Sequence, residues 1–107
     1  NKGLKPAIVL GEGMDSIKTA ARGLRAEGVN AKWYQAWNKN FKPENFNLEK
    51  SLQRNERWLN SKIDDGFEIY DIGIDPKRLP TDRSPFYQLE QEILKNRNIT
   101  PIPLKRP

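Results

Sequence analysis

The stretch Ala7-Ile8-Val9-Leu10-Gly11-Glu12-Gly13-Met14-Asp15-Ser16-Ile17 decides the fold. Its first four residues are apolar and lie between Pro6 and Gly11, too short a run for a helix and suited to a buried strand. Asp15 is the expected cap of a helix whose apolar residues Ile17, Ala20, Ala21 and Leu24 recur at i, i+3, i+4 and i+7, and Gly28 supplies a left-handed stop. A strand, a glycine turn and an amphipathic helix in that order open a βα unit.

The same pattern continues along the chain. Val29 to Tyr34 is a second strand candidate, and Gln35 to Phe46 has neither helical nor strand period, so it is expected to be a loop with aromatic anchors. Asn47 caps a second helix carrying Leu48, Leu52, Leu59 and Ile63, with Trp58 beside the stripe and Gly66 at its end. Phe67 to Ile72 alternates in polarity as a third strand. Gly73 to Arg83 holds the turn residues Asp75-Pro76, Leu79-Pro80 and Thr81-Asp82. Ser84-Pro85 starts a third helix with Phe86, Leu89, Ile93 and Leu94 on one stripe. Ile99 to Ile102 is an edge strand or an extended tail, because Pro101 and Pro103 cannot donate to a ladder.

The order β-α-β-α-β-α-(β) predicts a small α/β domain of two or three layers with a mostly parallel sheet of three or four strands. That is about half of a doubly wound, Rossmann-like domain. Strand order is not legible at this stage. The chain of 107 residues is expected to be one domain, with 1–6 a flexible linker to a larger parent protein and 7–104 the folded core.

Composition removes whole classes of chemistry. There is no Cys and no His, which excludes thiol nucleophiles, imidazole bases and a zinc site of the usual ligands. Catalysis is left to Asp, Glu, Lys, Arg, Tyr, Ser and Thr. No apolar run approaches the roughly 18 residues of a membrane-spanning helix. The formal net charge of +5 favours an anionic partner such as nucleic acid or an acidic protein.

Lys18, Arg22 and Arg25 recur at i, i+4 and i+7 on the first helix, and Lys50, Arg54 and Arg57 repeat that spacing on the second. Each set forms a basic stripe, suited either to phosphate contact or simply to a solvated face. Trp33, Tyr34, Trp37 and Phe41 interleave with Lys32, Lys39 and Lys42, a pattern suited to base stacking or to completing a small core. Trp37 is the aromatic expected to be exposed and to meet nucleic acid.

Gly11-Glu12-Gly13 occupies the place of a phosphate-binding glycine turn. The match to a dinucleotide fingerprint fails at Ser16, where the third glycine belongs, and Glu12 would repel a phosphate, so a structural turn is the favoured reading. In an open α/β sheet, ligands bind beyond the carboxyl ends of the strands. The loops at 11–16, 35–46 and 73–84 are expected to converge there. Asp71, Asp75, Glu12, Lys77, Arg78 and Tyr87 are the catalytic candidates of that edge, with carboxylates to move a proton or bind Mg²⁺ and cations to stabilise phosphate. The plainer roles are a turn for Asp75-Pro76 and a strand-end charge for Asp71.

Three stretches together resemble the C-terminal toxin domains of bacterial polymorphic toxins, including contact-dependent growth inhibition and Rhs-type proteins. They are Ile8-Val9-Leu10-Gly11-Glu12-Gly13-Met14-Asp15, then Arg54-Asn55-Glu56-Arg57-Trp58 leading to Gly66, then Tyr70-Asp71-Ile72-Gly73-Ile74-Asp75-Pro76 with Ser84-Pro85-Phe86-Tyr87. The resemblance implies secretion or cell-surface delivery within a larger protein and action in the cytoplasm of a target bacterium. It also implies a nuclease, with tRNA expected over DNA because RNA can supply its own 2′-hydroxyl, and a cognate immunity protein, expected to be acidic. The other readings are an NAD(P)- or nucleotide-consuming toxin and a non-enzymatic basic binding module.

Overall fold

A computed structural model describes residues 6–34 and 47–107 of the chain. Strand β1, Ala7–Leu10, runs as expected and is buried along its length. Helix α1 spans Met14–Ala26, but its cap is Gly13 rather than Asp15, which lies in the first turn. Glycine fits there because the chain turns through φ 89°, a left-handed conformation that Asp would adopt only with strain. Strand β2 is only Ala31–Lys32, shorter than the 29–34 expected, and among the described residues it pairs with β1, through Ala7 and Ile8.

Helix α2, Leu48–Asp64, is capped by Asn47, whose side chain accepts from Lys50 N, and β3 follows at Glu68–Asp71. Helix α3, Pro85–Asn96, begins with the expected Ser84 cap, whose side chain accepts from Tyr87 N. Strand β4 is Ile102–Pro103, displaced toward the C-terminus from the expected 99–102. The amide of Ile99 is used instead to close the end of α3 on Leu94 O.

The four strands form one parallel sheet in the order β2-β1-β3-β4. From β1 the chain steps outward to β2, then crosses back over β1 to β3 and continues to β4. This reversal places α1 on one face and α2 with α3 on the other, because parallel crossovers keep one hand. Two apolar cores record the division. Val9, Ile72, Ile17, Ala21 and Leu24 pack on the α1 face, with Trp33 partly buried against them. Ile8, Leu10, Ile69, Leu59, Ile93 and Leu94 pack on the other. The domain thus has three layers, and no helix among the described residues is long and apolar enough to cross a membrane.

Because β1 leads into α1 on one face and β3 leads toward α3 on the other, a crevice opens beyond the carboxyl ends of these neighbouring strands. It is the switch point at which open α/β sheets bind ligands. The crevice contains a cavity of about 200 Å³.

Candidate active site

The two loops bordering the crevice are joined by Glu12. Its side chain is fully buried, its Oε1 accepts from Asp75 N at 2.8 Å, and its Oε2 accepts from Ser84 N at 2.8 Å. The Arg83 guanidinium lies 3.2 Å from Oε1. Burial alone would raise the Glu12 pKa. The two amide donors, with Arg83 and Arg78, outweigh it and hold the carboxyl below its usual range. Glu12 therefore remains charged and tethers the 73–84 loop to the glycine turn. The repulsion it was expected to exert on a phosphate is countered by Arg83.

Arg106 reinforces this junction from the C-terminal tail. It donates to Glu12 O at 2.6 Å and to Gly73 O at 3.1 Å, and lies 3.9 Å from Asp75 Oδ1. Gly11 is required for close approach, since a Cβ there would overlap Ile72 Cγ1. A Cβ at Gly13 would come within 3.2 Å of the Arg106 guanidinium. Gly11 is thus fixed by packing, and Gly13 by its left-handed φ of 89°.

Asp71 and Tyr87 meet as a pair. The tyrosine hydroxyl donates to Asp71 Oδ2 at 3.0 Å, and the same carboxylate accepts from Gln91 Nε2 and, through Oδ1, from Gly73 N. Burial, then the Asp71 charge, pushes the Tyr87 hydroxyl well above the usual tyrosine range, so Tyr87 stays protonated as a donor. Asp75 forms a local turn by accepting from Lys77 N. Arg78 lines the cavity, whereas Lys77 is exposed on the loop. The structure thus brings Glu12, Asp75 and Arg78 together and joins Asp71 to Tyr87 on the α3 side.

The residue that the sequence reading passed over is Glu90. Only 5% exposed, it projects from α3 to line the cavity with Tyr34, Arg78, Ser84 and Phe86. Burial, only partly opposed by the neighbouring Asn55 amide and reinforced by the charge of Asp71, pushes its carboxyl up to about 8. Asn55 on α2 is fully buried, and among the described residues neither its Nδ2 nor its Oδ1 has hydrogen-bond geometry with a partner. Glu90 lies four residues after Phe86, on the apolar stripe of α3, and Asn55 falls between Leu52 and Leu59 on that of α2. A polar residue at a core position of each packed helix was the available signal.

The basic stripes lie apart. Lys18, Arg22 and Arg25 belong to α1 and Lys50, Arg54 and Arg57 to α2, on opposite faces of the sheet. Arg25 is already engaged, donating through Nε to Ala31 O at 2.8 Å and stacking 4.8 Å from the Trp33 ring centre. Trp37 lies outside the described residues. No group of three or more acidic side chains gathers as a metal site among the described residues. Compared with protein families, with curated proteins and with solved structures, the chain gives no match in any of the three.

Proposed function

We propose that this is an antibacterial toxin domain that cleaves RNA, with tRNA as the favoured substrate, at the crevice between β1 and β3. The observation that carries the reading is Glu90, a carboxyl held in a cleft and pushed up to about 8. A cleft residue shifted by desolvation toward the working pH is a candidate for proton transfer. At neutral pH Glu90 is protonated and acts as the general acid, giving its proton to the departing 5′-oxygen as the substrate's 2′-oxygen attacks phosphorus, the 2′-hydroxyl proton passing to water and a 2′,3′-cyclic phosphate remaining on the other fragment. Arg78 lines the same cavity and offsets phosphate charge. The start of α1 adds to this, because Gly13 offers its first amides no capping side chain.

The cavity size favours RNA over a whole dinucleotide cofactor. At about 200 Å³ it is smaller than the roughly 300–1,000 Å³ of a pocket enclosing a drug-sized ligand. A basic domain of this kind fits an acidic immunity protein, whose complementary charge speeds capture. The test incubates the pure domain with total RNA, plasmid DNA and NAD, with and without Mg²⁺ and chelator. RNA fragments are expected, and Glu90→Gln should reduce their formation by about 10²-fold or more. Loss of NAD with intact RNA, or full activity in folded Glu90→Gln protein, would overturn the proposal.

A further inference from the structure

Tyr34 and Phe86 bring two aromatic rings to the cavity that also contains Glu90, Arg78 and the glycine turn. Their ring centres lie 6.5 Å apart with planes inclined by 33°. Tyr34 is supported from α2 by Trp58, whose ring centre is 5.4 Å away, and its hydroxyl points to Ser51 O at 3.5 Å. Tyr34 is thereby held in place before any ligand arrives, with Phe86 against it. A nearly buried carboxyl among aromatic rings, with a guanidinium close by, suits a ligand combining a flat polar ring with an anionic group.

We infer that the crevice takes one unpaired nucleotide, its base against Tyr34 and Phe86 and its phosphate toward Arg78 and the turn between β1 and α1. The substrate class is then single-stranded or looped RNA, a refinement that rests on the nuclease reading above. In duplex RNA each base is stacked and paired, and entry into a side cavity would require the nucleotide to be turned out of the helix. A loop nucleotide can enter without that cost. Aromatic stacking tolerates any base, so this surface selects for unpaired structure before it selects for sequence. At about 200 Å³ the cavity encloses the base alone, with the phosphate at its mouth and the rest of the strand lying outside.

Two measurements test the inference, the first of them without any catalytic readout. In the first, tryptophan fluorescence is followed as the domain is titrated with adenosine 5′-monophosphate, uridine 5′-monophosphate and ribose 5-phosphate. The nucleotides are expected to bind about 10-fold or more tightly than ribose 5-phosphate, and Phe86→Leu should remove most of that advantage. Equal binding of all three, or no saturable binding, overturns the inference without needing a variant. In the second, an end-labelled hairpin with an unpaired loop is compared with the fully paired duplex of the same sequence. Cutting confined to the loop supports the inference. Equal cutting of loop and duplex overturns it and leaves the nuclease reading in place. Nucleotide binding without cutting of either RNA overturns the nuclease reading and retains the nucleotide site.

Discussion

Replacing Glu12 by Gln separates a structural carboxylate from a catalytic one. Gln keeps the volume and one acceptor, so one of the two loop amides, Asp75 N or Ser84 N, retains its bond. The other then faces an NH₂ group. An unsatisfied buried donor costs about 1–3 kcal/mol. Arg83 also loses its countercharge at 3.2 Å with a side chain only 17% exposed, and breaking a buried pair by removing one partner costs about 3–5 kcal/mol. These terms overlap because they describe one site, so the expected loss is about 3–5 kcal/mol. That is a large share of the roughly 5–15 kcal/mol of an ordinary domain.

Urea unfolding at pH 7, followed by tryptophan fluorescence, measures this loss. In the double variant with Arg83→Leu no uncompensated guanidinium charge remains, while its donations to the Asp75, Arg78 and Leu79 carbonyls are lost as well, so the two single losses should not add. A loss below about 1 kcal/mol, with RNA cleavage abolished, would refute the structural role and return Glu12 to the catalytic group. The pH dependence has a defined sign. The Glu12 pKa is lowered in the folded state, so its contribution is present above the ordinary carboxylate value and disappears as pH falls through the lowered one.

Glu90 has the opposite linkage, because its folded pKa is raised from 4.5 to about 8: stability should fall as pH rises between those values, and Glu90→Gln should flatten the decline in thermal melts. Replacing Glu90 and Asn55 together by Leu should leave the domain as stable or more stable at pH 8 while abolishing cleavage, since an imperfectly satisfied polar pair is exchanged for apolar contact. Asp71→Asn should lower the melting temperature along with activity, at a cost of about 1–3 kcal/mol, because that carboxylate accepts from Gly73, Tyr87 and Gln91. Changing Lys18, Arg22 and Arg25 together to Gln should reduce the salt slope of RNA binding by less than the roughly 0.7 units per residue of three free contacts, since Arg25 is engaged by Ala31 and Trp33. An unchanged slope would make the whole stripe a solvated face.

The fold was legible where local chemistry acts alone. Asn47 and Ser84 carry their helix starts in the side chain, and the spacing of Ile17, Ala20, Ala21 and Leu24 fixes the buried face of α1. Elements defined by pairing were less legible. Val29 to Tyr34 reads as a strand, yet among the described residues only Ala31 and Lys32 pair in the sheet, and β4 starts after Ile99 has been taken by the end of α3. Strand order depends on which way each crossover turns, and no residue of the chain encodes that locally. The site was half legible for the same reason. The loops at 11–16 and 73–84 do converge, but Glu90 enters the cavity from the core stripe of α3, where periodicity alone predicts an apolar residue.

Two buried glutamates in one small domain then take opposite roles for a reason visible in their partners. Glu12 is surrounded by donors, two amides and a guanidinium, which favour its charged form and use its acceptor capacity. Such a group has little left to offer a substrate, and its value lies in holding two loops at a fixed separation. Glu90 is buried, has among the described residues the poorly aligned Asn55 amide beside it, and faces the charge of Asp71, conditions that favour the neutral form and leave its proton available to whatever fills the cavity. Pairs of carboxyls whose surroundings push their pKa values apart mark such a division of roles. Neighbouring polar atoms, more than nearness to a glycine turn or a strand end, therefore make Glu12 the architectural carboxyl and Glu90 the one on which the proposed proton transfer rests.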